Sequence, residues 1–470
     1  MLELDGIRVD LPGRGTAIDD LRLTADTGRV TALVGPGGRG TSTLFALLAR
    51  DAPPGARFAG RALLDGVDLL AADPGDVALR VLLVDPAAPD PRSVREALAE
   101  LDAVADDEEL ADRLDRPVSS LPPDLRARLA LAELRLAPRT SVVLVDQVMA
   151  AADPALRHDL GRALRARAAD GAHVLWAEHQ LDAVWAFADD VAEPGEPTIP
   201  LDDWQPATVR EPTLLTLARV FGLPRGRCRT PAAVRRLVGS PALTRAVPSG
   251  RRVAHAPEVT VDAAELGLSG RQLDILPGEA IGVVHRSGRA EPVARRLVAR
   301  LGGARVPSVL PEALTPVDLL AAWDARHRTA ASGALGALRG VRPWATLATH
   351  SSGERAALRM LLARETPGAV WLPQPQLGLD QTGQIAAQRA LADGSPGIRI
   401  VTSRDVEFLV RACRRIAVVD GEEIVAFGSP GAVQHALPAL PLTAQALPRT
   451  APTRLGEIIE SAAVLSGGAA

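Results

Sequence analysis

The sequence predicts a duplicated α/β fold: two domains, each with a largely parallel sheet flanked by helices. Three observations predict it. β-branched and apolar runs alternate with helix-period segments, the pattern of parallel sheets. A short strand, a Gly-rich turn and an apolar-periodic helix follow one another across residues 30–50. The same order returns across residues 280–300, a spacing too long for a solenoid repeat and suited to a duplicated domain.

Taken in order, residues 1–195 form the first domain. Its strands are expected at 30–34, 142–145 and 174–176, with helices and a Pro-rich middle between them. Residues 196–250 carry many prolines and arginines and read as a linker or extension, with a short helix at 232–238. Residues 251–430 form the second domain. Its "LPGEAIGVVHRSGRAEPVARRLVARL" matches "ADTGRVTALVGPGGRGTSTLFALLAR" of the first. Residues 431–470 are a Pro/Leu-rich tail.

Composition sets the class. The 470 residues are 47% hydrophobic and 23% charged, ordinary for a globular protein with ample core. A net charge of −4 gives no electrostatic footprint for nucleic acid. The two cysteines, Cys228 and Cys413, suggest a reducing compartment and no disulfide framework. The start, "MLELDGIRVD", lacks the pattern of a signal peptide, and no apolar run approaches a membrane span. A cytoplasmic location, peripheral to the inner face of the cell membrane where a partner spans it, is the expectation. The chain has no lysine, tyrosine or asparagine. A GC-rich genome thins out such residues, but that bias alone does not explain the loss of a lysine that chemistry needs.

That loss falls at the Gly-rich turn. Residues 35–42 fit the phosphate-loop pattern G-x-x-x-x-G-K-[ST] except that Thr41 stands at the lysine. Gly35, Gly38 and Gly40 permit the tight turn and bring backbone N–H groups towards phosphate, and the following helix aims its N-terminus at the same anion. Neither Cys/His metal spacing nor a nucleophile elbow occurs.

With these motifs the chain resembles the ATP-binding cassette (ABC) ATPases, which have a phosphate-loop NTPase fold, two cassettes being fused in one chain. The segment "PTLLTLARVFGLPRGRCRTPAAVRRLV" resembles the extension of the duplicated energy-coupling-factor ATPases. The resemblance implies nucleotide contacts from Gly35, Gly38, Gly40, Thr41, Ser42 and Thr43, and Mg²⁺ ligation by Ser42 and Asp146. It places His179 at the γ-phosphate-sensing histidine and Ala151-Ala152-Asp153 at the D-loop. In that family, cassettes pack head to tail, so Ser351 and Gly353 of the second half would complete the site of the first.

The departures carry as much. Thr41 removes the cation that neutralises phosphate, and Gln147 replaces the glutamate that handles the attacking water. Leu11 stands at the adenine-stacking aromatic, no glutamine occurs near Asp85, and Pro122-Pro123-Asp124 replaces a Gly-rich signature. In the second loop Glu291 and Pro292 replace lysine and hydroxyl, Pro373-Gln374 replace the Asp-Glu pair, and Arg404 or Ser403 replaces the switch histidine. Arg39 lies two residues before the vacant lysine position, where its side chain is expected to point differently and not to replace that cation. The resulting expectation is an ATP-binding subunit homologue of an energy-coupling-factor-like transporter, with a membrane permease as partner. It binds ATP and Mg²⁺ weakly at one site and hydrolyses little. The alternative is a nucleotide-responsive or structural scaffold with soluble partners.

Overall fold

Two compact units divide the chain, Met1–Pro212 and Thr213–Ala470. The structure, a computed structural model, describes residues 1–12, 15–38, 40–52, 54–88, 90–101, 108–238, 259–286, 289–338, 340–392, 397–447 and 458–459. The strands of the first unit are β1 (Leu2–Leu11), β2 (Gly15–Ala25), β3 (Val30–Leu33), β4 (Arg57–Leu64), β5 (Val67–Asp68), β6 (Val81–Val84), β7 (Val142–Asp146), β8 (His173–Ala177), β9 (Asp190–Ala192) and β10 (Ile199–Pro200). They form a four-stranded antiparallel sheet, β2-β1-β4-β5, and a six-stranded sheet, β10-β9-β3-β8-β7-β6.

Every pairing of the second sheet is parallel except β10 with β9. Strands covered on both faces read as unbroken apolar runs, and every residue of β3, β7 and β8 is buried. Between β6 and β7 lies the helical subdomain. Its helices Val94–Glu100 and Pro123–Leu136 share a separate core of Val94, Leu98, Leu125 and Leu129.

The second unit holds β11 (Val259–Val261), β12 (Ser269–Gly270), β13 (Leu273–Ile275), β14 (Ala280–His285), β15 (Ala304–Arg305), β16 (Val370–Pro373), β17 (Arg399–Thr402), β18 (Arg415–Asp420) and β19 (Glu423–Gly428). The order β18-β14-β17-β16-β15 repeats β9-β3-β8-β7-β6 strand for strand. The duplication is therefore one of topology as well as of sequence. One part is not repeated. After the helix Glu291–Arg300 only residues 301–303 precede β15, whereas β4, β5 and the short helix Pro74–Ala78 intervene in the first unit. The long β1–β2 pair is reduced to β11 and β13, three residues each.

The proline- and arginine-rich stretch after residue 195 is shared between the units. Up to Pro212 it belongs to the first, where the indole of buried Trp204 donates to Glu193 at 2.8 Å. The helices Thr213–Val220 and Pro231–Val238 belong to the second and pack against Leu442–Ala446 from the tail. Residues 239–250 of the linker and most of the tail beyond 447 lie outside the described residues. Cys228 and Cys413 are both buried free thiols. Among the described residues no helix is long and apolar enough to cross a membrane.

Candidate functional site

The first unit contains a cavity of about 470 Å³ bounded by β2, the Gly-rich loop and the ends of β7, β8 and β9. Gly35, Gly38, Gly40, Thr41, Gln147 and His179, all singled out in the sequence, line it together. The loop has the expected conformation. Gly38 and Gly40 have φ of 80° and 79°, and Gly40 is the left-handed N-cap of α1 (Thr41–Leu48). Successive turns of this kind point backbone N–H groups into one concavity, which suits an anion. The loop is also tightly seated: a Cβ on Gly35 would lie 2.9 Å from Pro194.

Among its described lining residues the cavity has no arginine or lysine, and Thr41 holds the first helical position. Arg39, two residues before Thr41, lies outside the described residues.

Asp146 closes β7 beneath the loop and is 4% exposed. The Ser42 hydroxyl and the Gln147 amide bond to its carboxylate, while Oδ1 has no hydrogen-bond partner. Burial pushes the Asp146 carboxyl up to about 7, helped by the charges of Asp85 and Glu178. A buried, unpartnered carboxylate oxygen beside a serine hydroxyl is a donor set for a hard divalent cation. Ser42 and Asp146 therefore fit Mg²⁺, whereas Thr41 does not supply what a phosphate needs.

The backbone N–H of Gln147 donates to Ala177 O at 2.9 Å, and the residue has φ 48°. Gln374 of the second unit makes the same bond, to Thr402 O at 2.8 Å, with φ 46°. Counting two residues on from Ala177 and Thr402 aligns His179 with Arg404, which removes the Ser403 option. Ser403 instead is buried and accepts from Asp405 N at 3.0 Å.

One residue escaped the sequence reading. Glu178, just before His179, is 1% exposed and lines the cavity. Its carboxylate accepts from the amides of His179 (2.8 Å), Gln180 (3.0 Å) and Met149 (3.2 Å). It thus ties the loop after β7 to the loop after β8. An acidic residue ending an apolar strand was the available signal.

The other residues singled out in the sequence fall elsewhere. Thr43 lies in the first turn of α1 but does not line the cavity. Asp124, in the altered signature stretch, is buried in the first turn of its helix. In the second unit Ser351 N-caps the helix Ser352–Glu365, and its hydroxyl accepts from Glu354 N at 3.2 Å. A Cβ on Gly353 would approach Gly378 O at 3.3 Å. Around the second loop, Arg286 pairs with Asp420 at 3.0 Å and Glu291 begins its helix, while Ser287 and Gly288 lie outside the described residues. Buried Arg359 donates to the carbonyls of Pro373 and Pro307, so a guanidinium sits under the strand end where the first unit has Asp146.

The sheet order, present twice, and the Gly-loop and strand-end carboxylate of the first unit define a phosphate-loop fold. Comparisons narrow this class. The chain is 26% identical over 93% of its length to an ABC transporter ATP-binding protein of Streptomyces avermitilis, covering 96% of that protein. It is 32% identical to a hemin import ATP-binding protein of Rhodococcus jostii, covering 47% of this chain and 80% of that one. The corresponding hemin import protein of Thermobifida fusca is 35% identical, with 38% and 69% covered. Among solved structures, ribosome-bound archaeal Pelota and ABCE1 align at 18% identity and TM-score 0.59, covering 91% and 80%. No family profile matches the chain. The chain belongs to the ATP-binding cassette family, as a tandem of two cassettes.

Proposed function

We propose that this tandem is the ATP-binding component of a transporter of the energy-coupling-factor kind, that it binds Mg·ATP weakly at one site, and that it hydrolyses little or nothing. One observation carries the reading: the first unit keeps a glycine-lined cavity that His179 and Gln147 also line, yet none of the described lining residues is an arginine or lysine. Removing a charge-assisted phosphate contact costs about 1.5–3 kcal/mol, roughly 10- to 100-fold in affinity. Losing a proton-accepting carboxylate costs about 10²–10⁴-fold in rate, and Gln147 accepts no proton.

Within the first unit the site comprises Gly35, Gly38, Gly40, Thr41, Ser42 and Thr43, with Asp146 as metal ligand. The hemin and phosphate import names of relatives support a membrane permease as partner and a place at the inner face of the membrane. The test is co-purification: an integral-membrane protein held by the chain supports the transporter reading. Soluble partners alone favour a scaffold, a reading that the shrunken wall of the second unit and Arg359 under β16 also support.

A further inference from the structure

Charge is unevenly distributed along the chain. The 46 residues between Glu211 and Glu258 contain no aspartate or glutamate, and nine of them are arginine. The net charge of −4 therefore divides into +9 across residues 212–257 and −13 over the rest. The proposed nucleotide site uses no residue of this segment. Residues 239–258 lie outside the described residues.

The described part is built into the second unit. The helices Thr213–Val220 and Pro231–Val238 pack against each other and against Leu442–Ala446. Leu214, Leu217, Cys228 and Val234 are buried. Arg411 donates to the Thr213 hydroxyl at 2.9 Å, which ties the segment to the helix Val406–Ala412. Its charges lie outside: Arg219, Arg227, Arg235 and Arg236 are exposed. Each helical residue turns about 100° from the last. With Val234 buried, Arg236 falls on the opposite side of its helix and Arg235 on the flank. Arg235 also donates to the carbonyls of Ala444 and Gln445.

Each of the two helices has eight residues. That is about 12 Å of length, close to the Debye length of about 8–10 Å, so the fields of these arginines add at a facing surface. Half-buried Phe221, Leu223 and Leu237 lie among them in the segment. Guanidinium groups interleaved with apolar side chains suit the boundary between lipid headgroups and acyl chains. A long polyanion would also meet the −13 of the remaining chain, whereas a bilayer is met by one face alone.

We infer that residues 212–238 form a docking face for an anionic lipid bilayer, with exposed arginines drawing phosphate headgroups and half-buried apolar side chains settling at the headgroup boundary. The inference rests on the proposed place at the inner face of a membrane, and adds that the chain holds to that membrane without a permease. Each arginine near an anionic surface is worth roughly fivefold in affinity.

The experiment is flotation of the whole chain with vesicles free of other protein, made of phosphatidylcholine alone or mixed with phosphatidylglycerol. The chain should bind the anionic vesicles only, and should leave them between about 0.1 M and about 1 M salt, as the Debye length falls from about 10 Å to about 3 Å. Arg227→Gln combined with Arg236→Gln should weaken binding roughly 30-fold. Arg57→Gln combined with Arg61→Gln removes the same charge from exposed positions of β4 and should cost less than about threefold. Binding to neither vesicle, equal binding to both, binding undiminished by salt, or equal loss in the two double variants overturns the inference, while co-purification of a permease still decides the transporter reading. An RNA oligonucleotide bound more tightly per accessible phosphate than the anionic vesicles, and released by the Arg227 and Arg236 substitutions, assigns the face to nucleic acid and likewise overturns it.

Discussion

A Cβ placed on Gly40 would lie 2.7 Å from Cγ1 of Ile18 and 2.8 Å from the carbonyl oxygen of Ala17. The N-cap of α1 is therefore wedged against β2 as well as bent into the left-handed region. Gly38, two residues earlier, has the same φ but nothing within 4 Å of its Cβ position. Any side chain at Gly40 strains the packing of the first unit, so loss of ligand there would not separate binding from folding. Gly38→Asp puts a negative charge in the loop without that clash. It should abolish Mg·ATP binding with a Tm change of a few degrees, while Gly40→Asp should lower Tm much further; thermal melts alongside calorimetry check both.

Thr41→Lys should restore what the loop lacks. We expect Mg·ATP to bind about 10- to 100-fold tighter, the worth of one charge-assisted contact. Wild type should bind far more weakly in EDTA, because none of the described lining residues is an arginine or lysine and the metal supplies counter-charge, whereas the variant should retain more. Equal binding by wild type with and without EDTA would contradict this account.

Binding should depend on pH. A divalent cation competes with a proton for Asp146, whose carboxyl is held near 7 chiefly by burial. Metal-dependent nucleotide affinity should therefore rise between pH 6 and 8 and level off above. Without ligand the sign for stability is the reverse. The folded state favours the protonated carboxyl, so this contribution is full below about 4 and is lost as pH rises through 7. Asp146→Asn should flatten both profiles, as read by calorimetry and by melts across pH.

Steady-state phosphate release should stay well below about 1 s⁻¹, the low end of ordinary enzyme turnover. Both halves carry glutamine at the strand end, Gln147 and Gln374. Turnover at or above that rate, abolished by Asp146→Ala, would show that another group, with Glu178 the nearest candidate, handles the water.

Mg·ATP should saturate at one equivalent per chain. The second unit pairs Arg286 with Asp420 beside its loop, begins the following helix with Glu291, and lacks counterparts of β4 and β5. Two equivalents in a calorimetric titration would refute the asymmetry.

Much of this architecture was legible in the sequence because burial writes itself as composition. β3, β7 and β8 are covered on both faces, so their apolar runs stand out. The Gly-loop was legible because left-handed backbone selects glycine. Glu178 was not, since its meaning depends on amides of Met149 and Gln180 that lie far apart in the chain and meet only when β7 and β8 pair. Arg404 and Ser403 could not be told apart until the bond from Gln374 to Thr402 located the strand end.

The missing β4–β5 counterpart in the second unit differs in kind from the altered residues around it. A threonine can revert to lysine, or a glutamine to glutamate, through one or two base changes. A strand pair, once absent, has no such route back. On the proposed reading, the first cassette thus stands within mutational reach of a working ATPase, and the second does not. Selection for renewed activity in this lineage would have to act on one half alone.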